Sequence, residues 1–444
     1  MKNAFVSSVS FLKKDLVFFL VMGISFLFYG LFAPLDLVLV IVLFLLLLAN
    51  IDTNKIFYSY FACIFFEPVL NLPFIGGTFF RLFYVLMLVR FIIDIIKKTK
   101  YKFDVPTILL ALVFVVTSVF YSISLSRNIS VVMNVVIVLY IMLSLKKQEN
   151  YRESIGELLT FIAVFAALSG IYGLSRGFMN EARTYMRLFG TIDDSNYSAL
   201  FYTIGLFASF GATMLKKKWM KIVLIVIIAC LLISTASIAG FAVAFLLLVI
   251  YFFFTQGYKK GLLLLLAIAI IFSAVLFIPS NGDGILAATH QKVHRFITFT
   301  DPNPEFRYQY PGYTDFELYL NRISSKRYYL TKTYAIHFIY NTPINEQLFG
   351  GNNPVEGDFR SLVPVRDAVV SHNTYLDMFF MMGLIGTFLA LLFILINLIK
   401  HYISFLKTKD IRMLCLVFVM LTVLLFSISI STFPFRYSIA FMLM

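Results

Sequence analysis

The chain has 444 residues, 60% of them hydrophobic and only 14% charged, and its mean hydropathy is +0.89. Apolar runs of about 18 residues or more need a bilayer, because a soluble core of this size leaves room for polar surface, so an ordinary soluble domain is excluded. The formal net charge of +14 does not indicate a nucleic-acid partner, since the basic residues sit in short clusters between apolar runs and form no groove or stripe.

In chain order the apolar runs fall near 16–32, 34–49, 55–72, 75–96, 105–122, 128–145, 154–174, 194–215, 219–235, 236–255, 261–279, 373–399 and 411–431. The first follows Lys13 and Lys14 and lacks the short core and small-residue cleavage site of a signal peptide, so it reads as a membrane helix. Only the polar nick Ser234-Thr235-Ala236-Ser237 separates the ninth run from the tenth. Basic clusters punctuate the runs: Lys97, Lys98, Lys100 and Lys102; Lys146 and Lys147; Lys216, Lys217, Lys218 and Lys221; Lys259 and Lys260; Lys400, Lys407, Lys409 and Arg412. With the N-terminus inside, every cluster falls on the cytoplasmic side. The expectation is an all-α polytopic membrane protein of about 12 to 14 transmembrane helices, multi-pass in the cytoplasmic membrane, with a cytoplasmic N-terminus. Residues 433–444 are too short to span and read as a re-entrant or interfacial stub. Cys63, Cys230 and Cys415 lie in apolar runs and read as small buried hydrophobes.

The same alternation puts two segments outside, the short 175–196 and the long 279–371. The chain therefore divides into N-terminal transmembrane helices (1–279), an extracytoplasmic loop domain (280–371) and C-terminal transmembrane helices (372–444). The long segment balances nine acidic against nine basic residues and is rich in tyrosine. Its stretch 325–341 has helical periodicity with an apolar side and is expected to lie on the membrane surface.

Four groups of residues could carry chemistry. His372, at the seam between polar segment and apolar helix, offers a titratable group where a lipid-linked substrate would sit. Outer arginines, Arg176, Arg183 and Arg187 on the short segment and Arg295, Arg307, Arg322, Arg327, Arg360 and Arg366 on the long one, have no topological need to be there, and a guanidinium grips phosphate through paired hydrogen bonds. Arg81, near the outer end of its run, could face a substrate cavity, whereas Arg90 with Asp94 lies where pairing suffices. The turn Arg187 to Asn196 opens a helix capped by Asp194 or Ser195, whose N-terminus could assist anion binding. Gly383 and Gly386 read as a close helix–helix contact. His290 and His294 are four apart, but nothing completes a metal site around them.

Together, Arg187-x-x-Gly190-Thr191-x-x-x-x-Asn196, the long outer segment, Pro343 with Leu348-Phe349-Gly350-Gly351, and Ser371-His372-Asn373-x-Tyr375-Leu376 with Gly383-x-x-Gly386 resemble the O-antigen ligase and O-antigen polymerase superfamily. The resemblance covers roughly residue 158 to the C-terminus. It implies a C-type glycosyltransferase-like membrane enzyme that takes its glycan from a polyprenyl-pyrophosphate-linked oligosaccharide donor at the outer face and transfers it to a sugar hydroxyl, without cofactor or metal. The implied partners are that donor, a glycan acceptor and the lipid bilayer, with a chain-length regulator protein as a further candidate and no nucleic acid. The family's histidine falls on His372, and its arginines fall on Arg187 and Arg322. Relatives carry Ser-Arg-Gly where this chain has Ser237-Ile238-Ala239-Gly240, so Arg183 or Arg81 would have to stand in. Asp194, Asn196, Asn373 and Tyr375 are supporting residues. A polymerase is preferred because the tyrosine-rich loop offers room for two glycans. A ligase shares the same donor site. A glycolipid transporter would need polar residues in both membrane halves, and here they gather at the outer side.

Overall fold

Each of the thirteen apolar runs is occupied by a helix in the computed structural model, which describes residues 17–66, 71–72, 77–78, 80–101, 103–120, 125–147, 150–177, 188, 190–192, 194–276, 290, 312–324, 327–350 and 373–428. The first eleven helices are α1 (Val17–Phe28), α2 (Ala33–Ala49), α3 (Lys55–Ile64), α4 (Phe80–Ile96), α5 (Val105–Phe120), α6 (Leu125–Lys146), α7 (Tyr151–Ser175), α8 (Ser195–Gly211), α9 (Lys218–Ser234), α10 (Ile238–Gln256) and α11 (Tyr258–Leu276). Three short helices follow: α12 (Asp315–Ile323), α13 (Arg327–Tyr340) and α14 (Ile344–Phe349). The last two are α15 (Thr374–Thr408) and α16 (Ile411–Phe426). Among the described residues, Tyr151–Ser175, Ile238–Gln256 and Met382–Thr408 are long and apolar enough to cross a membrane unaided, and shorter apolar helices accompany them. The chain is an all-α polytopic membrane protein. The domain boundaries at 279/280 and 371/372, and the stub at 433–444, lie outside the described residues.

Two runs differ from expectation. The third run extends to residue 72, yet α3 stops at Ile64. Pro68 has no N–H to donate, and its ring would clash with the carbonyl four residues back, that of Ile64. A two-residue antiparallel ladder then pairs Asn71 with Thr78 and Leu72 with Gly77. In α15 the helix breaks at Gly383, where φ is 64° and ψ is −175°, so residues 374–382 and 384–408 are separate helical segments. The nick at 234–237 does end a helix: Ala236 takes a positive φ of 46° and turns the chain from α9 into α10.

The core is built around α7, which α3, α8, α9 and α16 surround. Phe161 packs tilted against Phe19 and Phe165 meets Phe26 edge-on, and aromatic contacts continue through Phe207, Tyr251 and Phe418. Large side chains at the bundle's outer surface, such as Leu262, Leu263 and Phe388, stay exposed, as lipid-facing positions must. Cys63 and Cys415 are buried, but Cys230 is exposed on α9, so only two of the three thiols are the core hydrophobes expected.

Among the described residues several charges inside the bundle are paired, as the cost of a lone charge in apolar surroundings requires. The Asp104 carboxylate accepts from Lys146 at 3.0 Å and from Lys400 at 2.8 Å, which brings the lysine-bearing ends of α6 and α15 to one end of the bundle. Arg90 meets Asp94 at 3.5 Å and donates to the Ile51 carbonyl at 2.6 Å, the pairing expected for it. Tyr101 and Tyr140 complete the site by donating to Asp94 at 2.7 and 2.6 Å.

Candidate functional site

The end of the bundle opposite the lysine pairs gathers helix starts. α8, α10 and α15 all begin there, each closed by a short oxygen-bearing side chain in extended backbone, the preferred N-cap. Asp194 accepts from the Asn196 N–H at 2.6 Å, Ser237 from the Gly240 N–H at 3.2 Å, and Asn373 from the Tyr375 and Leu376 N–H groups at 3.0 and 3.2 Å. Of the two caps expected for α8, Asp194 closes the helix. The Ser237 hydroxyl donates to the Asn196 side-chain oxygen at 2.9 Å, which laces α8 to α10. The start of α15 is held on its other side by α16: the Thr374 N–H donates to the Ser427 carbonyl at 2.8 Å, and the Tyr375 hydroxyl to the Leu424 carbonyl at 2.8 Å. Asn196 and Tyr375 therefore work as ties between helices, while the partial positive charge of three helix N-termini collects in one region.

The segment leading into α8 is seated just as firmly. The Leu188 N–H donates to the Ser234 carbonyl at 2.9 Å, and the Thr191 hydroxyl donates to the Phe65 carbonyl. Gly173 allows the close approach: a Cβ there would stand 2.8 Å from the Cα of Gly190. Leu188 is fully buried, so the chain is anchored one residue after Arg187.

The loop helices pack onto this end. Thr314 and Glu317 form a reciprocal capping box at the start of α12, with the Thr314 N–H donating at 3.0 Å and the Glu317 N–H returning to the Thr314 hydroxyl at 3.3 Å. Lys332 and Tyr328 donate to Glu317 at 2.6 and 3.0 Å, which clips α12 to α13. The Lys332 ammonium, the Thr314 N–H and the Tyr328 hydroxyl hold the Glu317 carboxyl down at about 2. Along α13, Leu330, Tyr334 and Phe338 form a buried stripe against Leu376 and Phe380. The helix expected to lie on the membrane surface thus spends this apolar stripe on the protein. A protein seam removes the same apolar area from water as a lipid seam would, and it fixes the partner.

Phe338 lies 5.8 Å from Phe379 and 5.1 Å from Phe380, and Tyr334 lies 6.1 Å from Phe380. Arg327 lies at the N-terminal end of α13, on the same face as Leu330 and Tyr334. Tyr197 on α8 stands within electrostatic range of Asp194, Asp377 and Arg327. Asp377 itself is 2% exposed and stands in the first turn of α15, where the helix dipole favours a carboxylate. The site thus combines a buried acid, a guanidinium, two tyrosines and three helix N-termini.

Of the residues expected from sequence, Asp194, Asn196, Asn373 and Tyr375 all sit at this end. His372, Arg187 and Arg183 lie outside the described residues, although His372 and Arg187 are the chain neighbours of the anchored Asn373 and Leu188. Arg81 falls in α4 and Arg322 in α12, and their side chains also lie outside the described residues. Arg176 is occupied elsewhere: its guanidinium donates to the Tyr29 carbonyl at 2.9 Å and lies over the Tyr172 ring. Arg327 is one of the outer arginines of the long segment but is not singled out among them by sequence, and Asp377 is not marked at all. The period 327, 330, 334, 338 would have set Arg327 on the packing face, and an acid one turn into an apolar helix is costly enough to mark a site.

Asn373 is the residue through which this geometry reaches His372. Asn373→Ala is expected to cost about 0.5–2 kcal/mol, read as a melting temperature lower by about 2–4 °C per kcal/mol in purified protein. Asn373→Asp, which preserves the cap, should melt like wild type. Equal melting of Asn373→Ala and wild type would show that the cap does not hold α15.

A helical membrane bundle with short loop helices packed over a cluster of helix starts is the class these observations define. Within it, residues 220–391 match the family described as O-antigen ligase, a span running from α9 through the loop helices into α15. The match supports the O-antigen ligase and polymerase superfamily, and with it a glycan-transfer role in polysaccharide assembly. No curated protein matches the chain.

Proposed function

We propose that the protein is a membrane polysaccharide polymerase. It joins glycan repeat units from a polyprenyl-pyrophosphate-linked donor to a sugar hydroxyl of an acceptor glycan, at the outer face of the cytoplasmic membrane, with its N-terminus in the cytoplasm. The observation that carries this reading is the gathering of Asp377 and the α8, α10 and α15 N-termini at one end of the bundle, with Arg327 within electrostatic range of Tyr197 there and with His372 and Arg187 next in the chain to the anchored Asn373 and Leu188. Loss of pyrophosphate builds negative charge in the transition state, and fixed cations and helix N-termini lower that barrier only if they are positioned beforehand. His372 takes the proton from the attacking hydroxyl. Arg187 holds the pyrophosphate, with Arg322, Arg183 and Arg81 as further donor-binding candidates and Arg327 added by its place on the seam. Asp194, Asn196, Asn373 and Tyr375 support these groups by fixing the helix starts. A chain-length regulator is a candidate partner.

The test is the length profile of surface glycan in a deletion strain complemented with wild type or Arg327→Ala, with membrane expression verified. Restoration of a repeat ladder by wild type, and single repeat units with Arg327→Ala, is the expected result. Long polymer that accumulates on its lipid carrier without attachment in the deletion strain would instead identify a ligase.

A further inference from the structure

We propose that the corner between α13 and α14 is an interfacial foot, seated in the lipid headgroup layer through Ile336, Ile339, Tyr340 and Ile344. α13 has two apolar faces. One is the stripe Leu330, Tyr334 and Phe338 that packs on α15. The other is exposed among the described residues: Ile336 is 45% exposed, Ile339 60%, Tyr340 78%, and Ile344, the first residue of α14, 69%. Positions 336, 339 and 340 share one helical face, and an aromatic ring with a hydroxyl suits the membrane–water boundary. Four large apolar side chains left in water at one corner would be an adhesive patch.

The occupant follows from depth. The Asp104 bridge to Lys400 marks one boundary of the bundle. From Leu384, just after the break in α15, to Lys400 is seventeen helical residues, about 26 Å at 1.5 Å each, close to the roughly 30 Å hydrocarbon thickness. Gly383 therefore lies at the opposite boundary. α14 touches that point: a Cβ on Gly383 would lie 2.5 Å from the Gly350 nitrogen. Ile344 lies six residues before Gly350 at the start of α14, so its depth differs from that of Gly350 by about 9 Å or less whatever the tilt, which keeps it at the headgroup layer. Just past the break in α15, Leu384, Ile385 and Phe388 are likewise exposed, as lipid-facing residues at that boundary would be. The foot would fix the height of α13, and therefore of Arg327, above the bilayer. This inference rests on the membrane fold and not on the glycan chemistry.

The chain has a single tryptophan, Trp219, which allows a direct test. Full-length protein carrying Trp219→Phe with Tyr340→Trp is reconstituted into nanodiscs of phosphatidylcholine brominated at a shallow or a deep acyl position. Expected is a blue-shifted emission, quenched more by the shallow bromines than by the deep ones. Ile336→Trp in the same background is a second reporter with the same expectation, should the first variant fail to fold. Emission at the wavelength of aqueous tryptophan with no quenching would overturn the proposal. So would blue-shifted emission indifferent to bromine, which would put a second copy or another segment of this chain over the patch.

Discussion

Replacing His372 with alanine is expected to lower glycan transfer by about 10²- to 10⁴-fold while leaving the protein folded in the membrane. The helix it precedes does not need the imidazole: α15 is closed by the Asn373 side chain and tied to α16 by the Thr374 N–H and the Tyr375 hydroxyl. Losses in His372→Ala and in Asn373→Ala should therefore separate. The first should lose rate at an unchanged melting temperature, and the second should lose melting temperature. His372→Gln keeps hydrogen bonding but cannot take a proton near neutral pH, so it should fail like alanine if the residue is a base and recover activity if it only orients the acceptor. The measurement is turnover of a purified lipid-linked repeat unit by protein in proteoliposomes. Wild-type turnover by His372→Ala would remove the histidine from the mechanism and return weight to the transporter reading.

Much of the architecture was legible because the bilayer imposes a length and composition on every crossing segment. All thirteen runs hold helices, and the Arg90–Asp94 pair follows from the cost of a lone charge. What the sequence withheld has specific causes. A run of apolar residues does not reveal that Pro68 ends α3 early. Periodicity gives α13 an apolar side but not its partner, and the stripe went to α15 while a second apolar face remained exposed. For the site, the caps Asp194 and Asn373 were readable from residue type, since N-caps are local. Arg327 was readable only as one outer arginine among several and Asp377 not at all, because what sets them apart is the packing of elements far apart in the chain. Gly383 was read in part. The close helix contact suggested by the glycine pair at i, i+3 is there, against the backbone of α14, but only the backbone angles reveal the break.

Gly383→Ala is accordingly expected to be among the most damaging single-methyl changes in the protein. Its backbone angles belong to a region open almost only to glycine, which costs about 1–3 kcal/mol for any other residue. The added Cβ would also stand 2.4 Å from the Leu348 carbonyl carbon and oxygen and 2.5 Å from the Gly350 nitrogen. These are backbone atoms and cannot rotate away, so overpacking adds about 1–3 kcal/mol more. Gly177→Ala is the control that separates the two effects. Its φ of +64° matches that of Gly383, and a Cβ there would meet nothing within 4 Å. Thermal unfolding of both variants should therefore give a clearly larger loss at position 383. Release of α14 from the break should also loosen α13 and the Arg327 end of its seam, so transfer should fall even with His372 intact. If Gly383→Ala melts like Gly177→Ala, α14 is not held against the break, and the depth argument for the interfacial foot loses its anchor as well.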